Sequence, residues 1–312
     1  PPWPDRPCLR RPSLRPPVVE QPPPPPGPRV PRLLIVPKHY PTIQAAVDEA
    51  VSGDTVYVAP GVYTEFVKLK SGITLTSLGA PYTFLDAQGA SNNLIDFSGA
   101  RDVVISGFTF RNVGSDTWCT MTSNMDRWCS GNWYAAAVYA DGHEPASARI
   151  ENNIFDHNGI GALLYFQVDA ELRGNLFFKN EYALIFSFYN EAGAIEGNIF
   201  WGNQELAVGV NAGIIDIRRN LIAGSKVGVK HQWMSGYPVD IRCNLFFQTE
   251  QPAVEHYQVP PRLVVGENDN AILDPLFVDA EAGDFRLRED SPLKDLECLG
   301  DVSLDGMGPV AP

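Results

Sequence analysis

One alternating apolar and polar phrase recurs five times between residues 150 and 246, as ARIENNIF, AELRGNLF, GAIEGNIF, IDIRRNLI and VDIRCNLF. Its first apolar position falls at Ile150, Leu172, Ile195, Ile217 and Ile241, so the period is 22, 23, 22 and 24 residues. Each copy has an Asn three positions on (Asn153, Asn175, Asn198, Asn220, Asn244) and a large apolar residue two further (Phe155, Phe177, Phe200, Ile222, Phe246). These are strand and turn signals. A second apolar run follows in every copy: GALLYF at 161–166, YALIFSF at 182–188, LAVGV at 206–210, VGVKH at 227–231 and AVEHY at 253–257. Stacked coils with two or three short strands each are the consequence, an all-β parallel β-helix. Helical repeats fit poorly, because Gly, Asn and β-branched residues are weak helix formers.

Coils that pair through their backbones lie about 4.8 Å apart, so equivalent side chains stack in ladders. The pattern therefore predicts an internal Asn ladder at a turn, with the Phe row filling the interior. Before the repeats, LLIV at 33–36 leads into YPTIQAAVDEAVSGD, where Ile43, Ala46, Val47 and Ala50 share one helical face and Gly53 stands at the stop position. A short amphipathic helix near 42–52 is expected, plugging the open end of the coil stack. From Ile105 to Ile150 is 45 residues, about two periods, yet only AAAVYADG at 135–142 supplies a further coil strand. Residues 114–133 are therefore read as an insertion into one coil. It carries Trp118, Cys119, Met121, Met125, Trp128, Cys129 and Trp133. A long insertion is often functional, but this one equally suits a loop folded back over apolar wall.

The stretches GDTVYVAPGVYTE at 53–65, LKSGITLTSLG after it, VVISGFTFRN at 103–112 and DPLFVDAEAGDFRLREDSPL at 274–293 carry a specific likeness. With the TIQAAVDEA helix, they resemble the right-handed parallel β-helix proteins of the pectin-lyase-like superfamily, secreted bacterial type. The resemblance covers about residues 36–306. It implies one right-handed β-helix over 33–312 with a closing segment at 274–312. It is nearly silent on activity, because that superfamily holds lyases, hydrolases, epimerases, esterases, adhesins and inert scaffolds.

Charge changes the picture of partners. The formal net charge is −13, but residues 1–32 carry six Arg against Asp5 and Glu20, so the remainder is more acidic still. Nucleic acid is an unsuitable partner for such a body. Polyanionic sugars are repelled unless a cation bridges them, so Ca²⁺ is expected only with a polyuronate ligand, and no other cofactor is expected. Residues 1–32 hold 14 of the 27 prolines and are read as an extended polyproline arm. The arm is either a spacer or a segment docked on an acidic surface, with Arg10, Arg11 and Arg15 near carboxylates. The five cysteines form no CxxC or Cys/His cluster, which favours an exported protein. Cys119 with Cys129, and Cys243 with Cys298, are candidate disulfides, leaving Cys8 over. No apolar run is long enough to span a membrane, and a chain starting without Met fits a processed exported protein as well as a trimmed one. The expected location is secreted, periplasmic or cell surface.

Candidate chemistry is thin. The paired-Asp and Gly-His-Gly signatures of polygalacturonases, the DPHD pattern of mannuronan epimerases, the Arg-rich signature of pectate lyases and the DxxxD pattern of pectin methylesterases are not evident, so no catalytic residue is carried over. What remains near the insertion is Asp141 and His143, with Glu144 beside them, and Asp156 and His157 one coil later. A His beside carboxylates suits a general base or a metal, and surface turns also collect such residues. Lys230, His231, Glu255 and His256 form a second group, read as His stacking inside the wall. The outward row of the second strand is taken as Leu164, Ile185, Gly209, Lys230 and Glu255, mostly apolar. Trp118, Trp128, Trp133, Tyr134, Tyr139, Tyr165 and Tyr189 fall on neighbouring coils, and such rings suit both sugar stacking and protein contacts. Two functions follow. One is a secreted non-catalytic scaffold or binding subunit that meets protein subunits of an extracellular or periplasmic assembly, or a polysaccharide, through the insertion and arm. The other is a carbohydrate-active lyase or epimerase working on the outer face.

Overall fold

The computed structural model describes residues 29–115, 120–121, 127–128, 135–187, 190–211, 213–232, 239–256, 269–295 and 298. The chain divides between Val30 and Pro31, close to the arm boundary expected at residue 32. Residues 1–28, and with them Arg10, Arg11 and Arg15, lie outside the described part.

Residues 31 onward form a parallel β-solenoid whose wall consists of three parallel sheets of nine, nine and eight strands among the described residues. The first sheet runs from Leu33–Val36 through Val103–Ser106, Ala146–Glu151, Val168–Arg173, Asn190–Glu196 and Gly213–Arg218 to Val239–Arg242. From Val103–Ser106 onward each of its strands is followed, after a two-residue turn, by a strand of the second sheet: Thr109–Arg111, Ile154–Asp156, Leu176–Phe178, Ile199–Trp201, Leu221–Ala223 and Leu245–Phe247. The third sheet is made by Val138–Asp141, Ile160–Tyr165, Tyr182–Ser187, Leu206–Val210, Val227–Gln232 and Gln251–His256, with Ile95–Asp96 and Val67–Lys68 below. Ile150, Leu172, Ile195, Ile217 and Ile241 are register partners in successive coils, as the period requires.

The interior follows the ladders. The amide of each repeat Asn accepts from the backbone N–H of the Asn one coil earlier, in an unbroken series Asn153, Asn175, Asn198, Asn220, Asn244 and Asn270 at 2.9–3.1 Å. Each amide NH₂ also donates to a main-chain carbonyl of the preceding coil, from Ile105 up to Ile241. All six are buried, and their polar groups are satisfied within the row, which is what allows polar side chains in a dry core. Beside them Phe155, Phe177 and Phe200 stack nearly parallel, with centroids 4.4 and 4.8 Å apart. A second buried ladder, Asn158, Asn180 and Asn203, closes the turn into the third sheet in the same manner. Its signal lay in the sequence, five residues after each Asn of the first row.

The N-terminal helix, Ile43–Glu49, begins at the Thr42 cap and buries Ile43, Ala46 and Val47, with Ala50 buried just beyond it. Glu65 accepts from its free Ile43 and Gln44 N–H groups, so the first coil completes the cap. Arg32 fastens the start of the solenoid, because its backbone N–H and guanidinium together hold the buried Asp54 carboxylate. Ile105 and Ile150 are direct register partners, so the 45 residues between them make one coil plus an excursion. Within that excursion Thr120–Met121 pairs antiparallel with Arg127–Trp128.

One expected row needs correction. The register sets Leu163 with Ile185, Gly209 and Lys230, whereas Leu164 belongs with Phe186, Val210, His231 and Glu255. Leu164 and Phe186 are part of the main core, and Leu163 and Ile185 are not. The alternation slips near Gly161. A Cβ there would meet the inward Phe177 ring at 3.0 Å, although the next residue, Ala162, is itself in the core. The Lys230 and Glu255 strands also pair directly, one coil apart rather than two.

Candidate functional site

The expected site residues occupy two corners of the wall. Asp141 ends a strand of the third sheet, where the chain turns toward the first, and His143 Nδ1 lies 2.5 Å from its Oδ1. The His143 ring also rests on Phe166, which meets Tyr165 edge-on. Asp156 ends a strand of the second sheet, where the chain turns toward the third, and His157 Nδ1 lies 2.5 Å from its Oδ1. The intervening strand, Ile160–Tyr165, is six residues long, so the two pairs stand on the order of 20 Å apart. They form two separate His–carboxylate pairs and do not converge.

His157 lines a groove of about 510 Å³ with Gln88, Asn112, Ser115, Lys179, Glu181 and Gln204, at the point where the insertion leaves the wall. Asn112, His157 and Lys179 hold left-handed backbone at φ 60, 51 and 53° in successive coils, so the turn projects one polar side chain per coil into the same row. Lys179, Glu181 and Gln204 were missed from sequence, although Lys179 follows His157 by one period of 22 residues.

The other faces are occupied. The outer face of the first sheet bears a lattice of ion pairs in which Arg173 bridges Glu171 and Glu196, Arg218 joins Glu196 to Asp216, and Arg242 joins Asp216 to Asp240. The Glu196 hydrogen bond is the main cause holding the Arg218 guanidinium above its usual range. A groove of about 480 Å³ beside this lattice is lined by Asp102, Ser147, Arg149, Asp169 and Glu171. The second sheet is covered by the closing segment, whose Phe277, Phe285 and Leu293 pack on Phe178, Trp201 and Leu176. On the third sheet Leu163 and Ile185 are 3% and 1% exposed, with Tyr139 and Tyr182 packed against them. Lys230 follows Gly209 in that row, and burial lowers its pKa.

Of the candidate aromatics, Tyr139 and Tyr165 are thus placed on the third sheet, and Trp128 is described only as backbone. Trp118, Trp133, Tyr134 and Tyr189 lie outside the described residues, as do Cys119 and Cys129. His231 is buried in the inward row, but its register partner is Glu255 while His256 pairs with Gln232, so the two His do not share the row in which they were expected to stack; the side chain of His256 lies outside the described part.

The fold and these surfaces define a parallel β-solenoid. A family model described as "Periplasmic copper-binding protein (NosD)" matches residues 47–256. The chain belongs to the NosD family, a periplasmic one. No described helix is long and apolar enough to cross a membrane. No curated protein matches the chain. Among solved structures it is similar to a Yersinia enterocolitica family 28 exopolygalacturonase, at 13% identity over 78% of this chain and 63% of that one, with a TM-score of 0.43. The chain therefore spans less than two thirds of that enzyme's length. It is also similar to a pectin methylesterase mutant in complex with a hexasaccharide, at 12% identity over 88% and 96% of the two chains and a TM-score of 0.30. A family PL6 alginate lyase, AlyGC, is similar at 13% identity over 90% and 59%, with a TM-score of 0.27.

Proposed function

We propose that the chain is a non-catalytic periplasmic β-solenoid that acts as a binding subunit, making protein or glycan contacts around the root of its insertion and through residues 1–32. The observation that carries this reading is the separation of the two His–carboxylate pairs across the third sheet. Acid and base groups acting on one bond must stand within hydrogen-bond reach of the same reacting atoms, and groups about 20 Å apart do not. The groove of His157, Lys179, Glu181 and Gln204 is the described part of the contact surface. Its cation, carboxylate and amides offer a mixed hydrogen-bonding rim, suited to a hydroxyl-rich ligand or a polar protein loop.

The family description names copper, and the described residues alone supply no site for it. Among the described residues no three His, Cys, Asp or Glu side chains come together, and each His–Asp pair offers two donors. A protein copper centre usually draws on more ligands than that. Ca²⁺ enters only if the ligand is a polyuronate, as a bridge between two acidic partners.

The test is a panel of uronic-acid polymers incubated with the protein, with and without Ca²⁺. No unsaturated product should form, and its release would overturn the non-catalytic reading. In parallel, removal of residues 1–30, which keeps Arg32 on the buried Asp54 carboxylate, should leave far-UV circular dichroism unchanged and weaken association in sedimentation runs. Equal association at low and high salt would remove the arm from the proposal.

A further inference from the structure

At the corner between the first and second sheets, Arg219, Cys243 and Asp269 take left-handed backbone in successive coils, at φ 56, 53 and 59°. The ladder beside them fixes this stacking, since Asn270 Oδ1 accepts from Asn244 N at 2.9 Å and from Nδ2 at 3.2 Å. Cys298 returns from the closing segment onto this row. Its Sγ lies 3.8 Å from the carbonyl oxygen of Asp269, which stacks one coil on from Cys243, so the Cys243 thiol is its neighbour across the corner. Cys298 also packs against the apolar cover of the second sheet. Two sulfurs far apart in sequence therefore meet at the place where the closing segment crosses the final coils.

We propose that Cys243 and Cys298 are a disulfide-forming site, and that their oxidation locks the closing segment onto the second sheet. The two S–H bonds break and one S–S bond forms, with loss of two protons and two electrons. The electrons reduce the disulfide of a thiol–disulfide exchange partner to two thiols, the class of oxidant that an oxidising compartment supplies. Burial, then the hydrogen bond to Cys243, pushes the Cys298 thiol up to about 12. A thiol so poorly stabilised as thiolate leaves slowly in exchange, so the bond once made resists reduction. The function of the lock is physical. The segment that it tethers shields Ile154, Leu176, Phe178, Ile199 and Trp201, an apolar strip that would face water if residues 274–298 lifted away.

Non-reducing peptide mapping of the full chain exported to a bacterial periplasm tests the proposal first. A cross-linked pair of peptides containing Cys243 and Cys298 is expected, and recovery of both as free, alkylatable thiols would overturn it. Thermal melts of the wild type and of the Cys243→Ser/Cys298→Ser variant separate the bond from mere packing. Without reductant the wild type should melt higher by on the order of 10 °C, because the bond closes a long loop in the unfolded chain. With reductant the difference should vanish, whatever happens at the other cysteines, which both proteins share. A difference that persists in reductant, or none in its absence, also overturns the proposal.

Discussion

Replacing Asn198 by Ala puts the central ladder to the test. The side chain is fully buried, and its Oδ1 accepts from Asn175 N at 2.9 Å and Asn175 Nδ2 at 3.0 Å. Its Nδ2 donates to the Leu172 carbonyl at 2.9 Å and to Asn220 Oδ1 at 3.0 Å. Alanine deletes these bonds and the weaker one from Nδ2 to the Glu196 carbonyl at 3.2 Å. Asn220 Oδ1 keeps the Asn198 backbone N–H, but the Asn175 N–H and the Leu172 carbonyl lose the amide. Leaving a buried polar group unsatisfied costs about 1–3 kcal/mol, so a loss of about 3–5 kcal/mol is expected, a large fraction of the about 5–15 kcal/mol of a typical domain. Urea titration followed by far-UV circular dichroism should show the midpoint falling with little change in slope. Asn198→Asp should be worse at neutral pH, because it keeps the acceptor but sets a carboxylate against two oxygen acceptors in a dry site. A loss below about 1 kcal/mol for the Ala variant would refute the view that the ladder is satisfied internally and cannot recruit water.

Two further outcomes test the same reasoning. At Ser225 the second ladder stops: the hydroxyl is buried without a hydrogen-bond partner, in the coil above Asn203. Ser225→Asn should extend the row and raise stability by about 1 kcal/mol in urea, and a lower midpoint would show that the turn has no room for the amide. Asp86 should give an acid-dependent signature. Burial alone would raise its pKa, but hydrogen bonds from Asn112, Gln88 and Arg111 outweigh burial and hold the carboxyl below 3.8. A depressed folded pKa means that the stabilisation is complete above the unfolded value and is lost as pH falls through the folded one. Melts between pH 5 and pH 2.5 should therefore converge for wild type and Asp86→Asn at the acid end, and parallel curves would discount the cluster.

Much of the fold is legible in the sequence because a solenoid repeats one local rule. Spacings of 22 to 24 residues put Ile150, Leu172, Ile195, Ile217 and Ile241 in one row, and fixed offsets from them put the Asn and Phe ladders inside. The apolar face of Ile43, Ala46 and Val47 marked the short helix at the start of the solenoid. Where the period continues but the phase is set by a turn, sequence fails. At Gly161 the chain bends, the inward side changes by one residue, and Leu164 joins the core while Leu163 faces out. A period cannot report such a slip, since both residues repeat equally well. Nor can it report distance around the coil. Asp141 with His143, and Asp156 with His157, are close in sequence and one coil apart, yet the third sheet runs between them. The meeting of Cys298 with Cys243, and of Phe285 with Phe178 and Trp201, depends on a closing segment that crosses the repeats instead of continuing them. The sequence by itself therefore determined which residues share a row, through backbone pairing at a constant period. Only the tertiary structure decided which rows face one another and what covers them, because those contacts join segments that no period relates.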